Sequence, residues 1–269
     1  MDVQRFLYLI AYDVGQPARL RRVQQIRLSL DPAFCLSCAR LLIQHKLGSQ
    51  IDWLAQLQIE AHPSARHPLG HTLAQLRALH ARVPQAHSLA SLRGLEGAAA
   101  ASYFDGLKAV VPASLGFSGR NRRPPKDPFN ALLSLTYTLV QAETAIALWG
   151  AGLDPYVGYY HTLDFGRESL ACDLLEPVRV HADRFCLELV RQQTLSPDHF
   201  SLSPTGCLLG KAGRARYYDA YEQHSPAWRS AIAAQVSALL ERIGCAGDGH
   251  TLPGPDHDFE HDHDPDPDF

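Results

Sequence analysis

The chain has 269 residues, 46% of them hydrophobic and 20% charged, with a formal net charge of −3, enough to bury a sizeable core as one large domain or two small ones. Its N-terminal apolar run, within MDVQRFLYLIAYD, is about eight residues, too short for a membrane span and without signal-peptide flanks. Cys35, Cys38, Cys172, Cys186, Cys207 and Cys245 are scattered through apolar surroundings, which argues against a secreted disulfide framework and for free buried thiols in a cytoplasmic protein without a membrane partner. The average charge hides two parts. Eight acids and no Lys or Arg lie beyond Cys245, and taking them from the 28 acids leaves 20 against 25 bases, a body of about +5. A mildly basic body suits a polyanion. The tail, GDGHTLPGPDHDFEHDHDPDPDF, predicts disorder, and its His–Asp alternation serves either solvation or metal capture.

In chain order, Phe6 to Asp13 predicts a strand. From Pro32 the apolar spacing predicts a helix, with Asp31 as its cap and Pro32 in its first turn. Cys35 and Cys38 on that helix form a single CxxC, a core feature rather than a zinc site because no second pair exists. His62 to Pro68, with two prolines, reads as a linker, and Leu73 to Val83 as a short amphipathic helix. A long helix from about Ser88 carries GLEGAAAASYFDGL. An ionised Glu96 among alanines is expensive unless a partner waits across the contact, so it is either a partly exposed helix residue or a site residue. The following loop gathers Arg120, Arg122, Arg123 and Lys126, which solubilise or, beside a metal site, hold phosphates. Asp127 to Trp149 predicts a buried central helix, since Asn130, Ser134, Gln141 and Glu143 argue against a span.

Gly158 to Arg179, GYYHTLDFGRESLACDLLEPVR, concentrates the chemistry. His161 precedes a helix starting near Glu168, and Asp173 and Glu176, three residues apart, share one of its faces. The pair is either a solvated face or a site, and as a site it repels itself unless a cation or proton sits between. Pro177 predicts a kink or break there. Phe200 to Lys211 reads as a hairpin, GRARYYDAYEQH as a small basic and aromatic helix, and Trp228 to Ile243 as a last helix. Glu96, His161 and Glu176 together supply two carboxylates and an imidazole, a set that fits Mg²⁺ or Mn²⁺, with Asp173 as a fourth or outer ligand. Such an ion serves attack on a phosphodiester by water or by a DNA 3′-hydroxyl, and the residues alone leave that choice open.

LRRVQ followed by DPAFCLSCARLLIQHKLGSQIDWL, then LRGLEGAAAASYF, FSGRNRRPPKDPFNALLSLTYTLV, GLDPYVGYYH and SLACDLLEPVR, resemble in order and context the helical domain of the CRISPR-associated adaptation endonuclease. This is the spacer integrase family numbered first among the Cas proteins, and the resemblance covers roughly Leu20 to Cys245. It implies a mainly α fold, with Glu96, His161 and Glu176 as metal ligands and catalytic residues beside Asp173 as the auxiliary acid, and Arg120, Arg122, Arg123 and Lys126 as DNA-binding residues. It implies Mg²⁺- or Mn²⁺-dependent joining of spacer DNA to the CRISPR repeat array by 3′-hydroxyl attack, with cutting of branched DNA. It also implies a homodimer bound to a small ferredoxin-like Cas partner. The departure is the family's N-terminal β-rich domain, for which there is room for one or two strands only. Residues 8–23 also resemble the start of the small partner. The expected organisation is a remnant β segment at 1–19, a helical catalytic domain at 20–245 and a disordered acidic tail at 246–269. Two other functions compete: a truncated, non-catalytic remnant that binds DNA or sister Cas proteins, and a helical metallohydrolase of small phosphoesters, which needs a deep pocket.

Overall fold

The structure is a computed structural model that describes residues 16–121 and 123–247. The strand expected at Phe6–Asp13, Arg122 and the acidic tail from residue 248 lie outside the described residues. Helix starts follow their caps. Asp31 accepts the Ala33 N–H at 2.8 Å ahead of α2, Pro32–Glu60; Ser88 accepts the Ser91 N–H at 3.1 Å ahead of α4, Leu89–Leu107; Asp127 accepts the Asn130 N–H at 2.8 Å ahead of α5, Pro128–Gly150. Each cap satisfies a donor that the first helical turn otherwise leaves without a partner. The remaining helices are α1 (Gln16–Ser29), α3 (Pro63–Arg82), α6 (Ser169–Arg191) and α7 (Lys211–Gly247). Between α6 and α7 the expected hairpin is present, with β1 (Phe200–Ser203) antiparallel to β2 (Gly206–Leu209) and Phe200 opposite Leu209. The fold is mainly α, as the sequence suggested, and this hairpin is the sheet among the described residues.

Proline misled the element boundaries in three places. The segment His62–Pro68 is no linker: His62 caps α3, Pro63 occupies its first position and Pro68 lies inside it. The two helices expected after residue 211 are one, α7, with Pro226 inside. Nor does Pro177 break α6, which runs on to Arg191. A helix-interior proline costs about 3 kcal/mol, while burying each large aliphatic side chain returns about 1.5–3 kcal/mol. Leu174, Leu175, Val178 and Val180 around Pro177, and Leu69, Leu73 and Leu76 after Pro68, are all buried, so packing outweighs the lost hydrogen bond. Helix α1 also begins at Gln16, ahead of the boundary expected at residue 20.

The central pair is α2 and α6. Helix α2 packs on α1, α3 and α4 as well as on α6, and α6 packs on α5 and α7. Helix α5 is long and apolar enough by composition to cross a membrane, but it lies against α6, α7 and β2 and buries Asn130, Thr136 and Thr144. It is the core helix that its polar residues indicated. All six cysteines are free thiols, and burial raises those of Cys35 and Cys38, as inert core residues.

Candidate active site

His161 comes from the loop between α5 and α6, and the loop is held by the first turns of α6. Asp173 is fully buried. Its Oδ2 accepts the backbone N–H groups of Tyr159 and Tyr160 at 2.7 and 3.0 Å. Its Oδ1 accepts the His161 N–H at 2.8 Å and the His161 ring Nδ1 at 2.7 Å. A carboxylate only accepts, so Nδ1 carries the proton and Nε2 is left to face outward partners. Gly158 permits this closeness, because a Cβ there would lie 2.8 Å from the His161 carbonyl oxygen and 2.9 Å from Asp173 Oδ2. Two remote residues complete the anchorage. From α1, buried Gln25 donates to the carbonyls of Asp154 and Val157 at 2.8 Å and accepts the Asp154 N–H at 2.8 Å. From α4, Arg93 donates to the Tyr160 carbonyl at 3.1 Å.

The two glutamates arrive from different helices and meet at one cation. Lys46, buried on α2, pairs with Glu96 Oε1 of α4 and, at 2.5 Å, with Glu176 Oε2 of α6. Arg179, one turn further along α6, takes the other oxygen of Glu176, Oε1, at 2.9 Å. The Tyr160 hydroxyl donates to Glu96 Oε2 at 3.3 Å. Burial pushes the Glu176 carboxyl up, but Arg179 and Lys46 together outweigh it and hold the group well below the usual carboxylate range. Burial, and then Glu96, push the Tyr160 hydroxyl up, which keeps it a donor. Behind Arg179 lies the Tyr137 ring, 4.7 Å from the guanidinium. The Tyr137 and Tyr103 hydroxyls both donate to buried Asp183, the latter at 2.8 Å. Burial pushes Asp183 up to about 6 against the opposing pull of the two tyrosines and Arg179.

The sequence matches the family described as CRISPR associated protein Cas1 over residues 5–223. The chain belongs to the Cas1 family. It is 39% identical over 227 residues to the CRISPR-associated endonuclease Cas1 1 of Thermodesulfovibrio yellowstonii, a match covering 83% of this chain and 71% of that relative. Among solved structures it is similar to a partial Cas6-RT-Cas1–Cas2 complex, with a TM-score of 0.77 and 27% identity over 86% of this chain and 73% of that one. A Cas1 protein from Thermotoga maritima has the same fold, with a TM-score of 0.73 and 23% identity over 83% of this chain and 70% of that one.

Within this Cas1 chain, the four residues singled out from sequence fall into two groups. Glu96 and Glu176 share a cation, while His161 is oriented by Asp173. Asp173 and Glu176 lie on one helix but have different partners: both Asp173 oxygens are engaged by four protein donors, while Glu176 pairs with Lys46 and Arg179. Of the basic loop, Arg123 and Lys126 are exposed and Arg122 lies outside the described residues. Arg120 is turned inward, donating to the Asn121 carbonyl, to Asn130 Oδ1 at 2.9 Å and to Ser134 Oγ at 3.2 Å. It braces the loop on α5. Sequence reasoning missed Lys46, Arg179 and Gln25. Arg179 follows Glu176 at the i+3 spacing of helical ion pairs, which was a readable signal; Lys46 stands on α2 with no acid at helical ion-pair spacing that would mark it.

No group of three or more His, Cys, Asp or Glu side chains among the described residues stands close enough together to hold a metal. The donor set nevertheless fits a divalent ion. Two carboxylates from separate helices already close on a positive charge, with the Lys46 ammonium as the stand-in, and a histidine fixed through Nδ1 offers Nε2. A carboxylate behind a ligating histidine fixes its tautomer in metal sites generally.

Proposed function

We propose that this chain is a divalent-metal-dependent DNA endonuclease and integrase of CRISPR adaptation. The observation that carries the reading is the convergence of Glu96 and Glu176 on one cation beside a histidine oriented by Asp173. Mg²⁺ or Mn²⁺ would be held by Glu96, Glu176 and His161 Nε2, and when bound it supplies positive charge to a phosphoryl oxygen and to the oxygens that attack and leave. The remaining work falls to the chain. Asp173 keeps the His161 proton on Nδ1, Arg179 fixes the second oxygen of Glu176, and Arg123 and Lys126, with Arg122, provide charge for DNA phosphates. In the joining reaction a spacer 3′-oxygen forms a bond to phosphorus as the bond to the repeat strand's 3′-oxygen breaks, so the number of phosphodiesters is conserved. Attack by water in the same place gives cleavage. The partners we propose are spacer and repeat DNA, a small Cas protein and a second copy of the chain. The relatives named as endonucleases and the Cas1–Cas2 complex among similar structures support this reading.

The reading is tested by joining a short duplex to supercoiled plasmid with Mn²⁺, with and without the small Cas partner. Glu96→Ala, His161→Ala and Glu176→Ala are each expected to lower joining and cleavage by about 100-fold or more, since metal-ion charge stabilisation is worth several kcal/mol, with the helical spectrum unchanged. Robust joining by the His161 variant overturns the site. A second reading, DNA binding without turnover, draws on the Lys46 ammonium lying between the carboxylates; DNA binding by folded protein with no joining under any divalent ion selects it. The small-phosphoester reading needs a deep pocket at the site. A cavity of about 640 Å³ does open between α2, α3, α6 and α7, but His45, Asp52, His80 and His181 line it, not Glu96, His161 or Glu176.

A further inference from the structure

We infer that Lys46 is the resident counter-ion of the metal site: its ammonium holds Glu96 and Glu176 together in the metal-free protein and must withdraw before an ion is bound. The inference rests on the proposed metal site and adds a competitor to it. Two cations touch the carboxylates, and they differ in which oxygens they use. Arg179 takes Glu176 Oε1, while Lys46 takes Glu176 Oε2 and Glu96 Oε1, the two oxygens that turn toward each other across the α4–α6 gap. An ion shared by both glutamates therefore takes the place of Lys46 and leaves Arg179 undisturbed. Charge balance points the same way. Two carboxylates, one ammonium and one guanidinium sum to zero, and adding a divalent ion with the ammonium still in place would put three cations against two carboxylates, an excess that withdrawal of the ammonium halves. The side chains also suit the exchange. Lysine carries a compact charge on a flexible four-carbon stem, whereas the guanidinium of Arg179 is fixed by its planar fork and by the Tyr137 ring at 4.7 Å. Without Lys46, Glu96 would keep only the Tyr160 hydroxyl as a hydrogen-bond partner among the described residues, so the same lysine that obstructs the ion offsets the repulsion between the two glutamates when no ion is bound.

The test uses the full chain without DNA. Mn²⁺ binding is measured by calorimetry for the wild type and for Lys46→Met, which keeps the length and removes the charge, and each protein is melted in EDTA and in excess Mn²⁺. The expected result is Mn²⁺ affinity raised about tenfold or more in Lys46→Met, a lower melting temperature in EDTA and a larger gain on adding Mn²⁺. Equal or weaker Mn²⁺ binding by the folded variant overturns the role of Lys46 while leaving the metal site standing. Absence of Mn²⁺ binding by both proteins overturns the metal site and this inference with it. The wild type provides a second route that does not depend on the variant folding. Amine labelling read by mass spectrometry is expected to spare Lys46 in EDTA and to reach it at saturating Mn²⁺; identical labelling in the two states, with Mn²⁺ binding demonstrated, overturns the proposal.

Discussion

At Asp173 two oxygens receive four hydrogen bonds, and the space for them exists because residue 158 has no side chain. Gly158→Ala would place a methyl group 2.8–2.9 Å from the His161 carbonyl, Asp173 Oδ2 and the Ser169 backbone, so either the loop or α6 must give way. The expected cost is about 1–3 kcal/mol, the usual range for overpacking, read as a lower urea midpoint at constant m-value. Joining is expected to fall in step because His161 is displaced; an unchanged midpoint would show the loop to be slack. This scale is also where the sequence was most and least informative. Glu96, His161, Asp173 and Glu176 were recognisable because acids and histidine in apolar or glycine-rich surroundings need a reason to be there. Lys46 was not, because a lone lysine in a helix more often lays its stem along apolar surface with its charge in water, and only the placement of two other helices reveals that it ends between two carboxylates.

Among the elements, α1 carries an effect out of proportion to its sequence signal. Leu20, Val23 and Ile26 are exposed, so its apolar spacing does not mark a core face; Leu28 alone packs against the core from its apolar positions, and what ties the helix to the site loop is polar: Gln25 with three hydrogen bonds to the His161 loop and Arg21 with one to the Ala151 carbonyl. Periodicity could not find a helix docked in that way. Gln25→Ala is expected to cost roughly 1–3 kcal/mol, because it strands partly buried backbone groups of Asp154 and Val157. It should also raise amide hydrogen exchange across residues 153–158 without altering α3 or α4. Protection that survives intact there would refute the coupling. The longer helices were legible from their caps, and the errors clustered at Pro68, Pro177 and Pro226, where a local rule about proline was overruled by burial that only the assembled bundle supplies.

Across the whole molecule, the buried Tyr103–Asp183–Tyr137 group ties α4, α5 and α6 together, and its ionisation sets part of the stability curve. Asp183 is raised from 3.8 to about 6 in the folded protein. Below pH 3.8 it is protonated folded or unfolded and has no effect. Between there and about 6 the unfolded chain releases its proton while the folded chain keeps it, so stability falls as pH rises, and above about 6 the penalty is constant. Glu176, held low, works in the opposite sense, its contribution being lost as pH drops below the ordinary carboxylate range. The difference between wild type and Asp183→Asn isolates the first effect. The wild type is expected to lose melting temperature relative to the variant between pH 4 and 6, and a flat difference over that interval would refute it.

The anchors of His161 also have a temporal meaning. Its loop is secured by Gln25, 129 residues upstream of Asp154 in the chain, by Arg93, 67 residues before Tyr160, and by Asp173, 12 residues after His161 itself, while Glu96 and Glu176 are joined through a lysine 50 residues before the first of them. Nothing shorter than the stretch from α1 through α6 contains the whole set. A chain still on the ribosome, or a fragment lacking either end of that stretch, therefore carries the individual residues but no assembled centre, which forms once synthesis has passed α6 and the distant helices have docked.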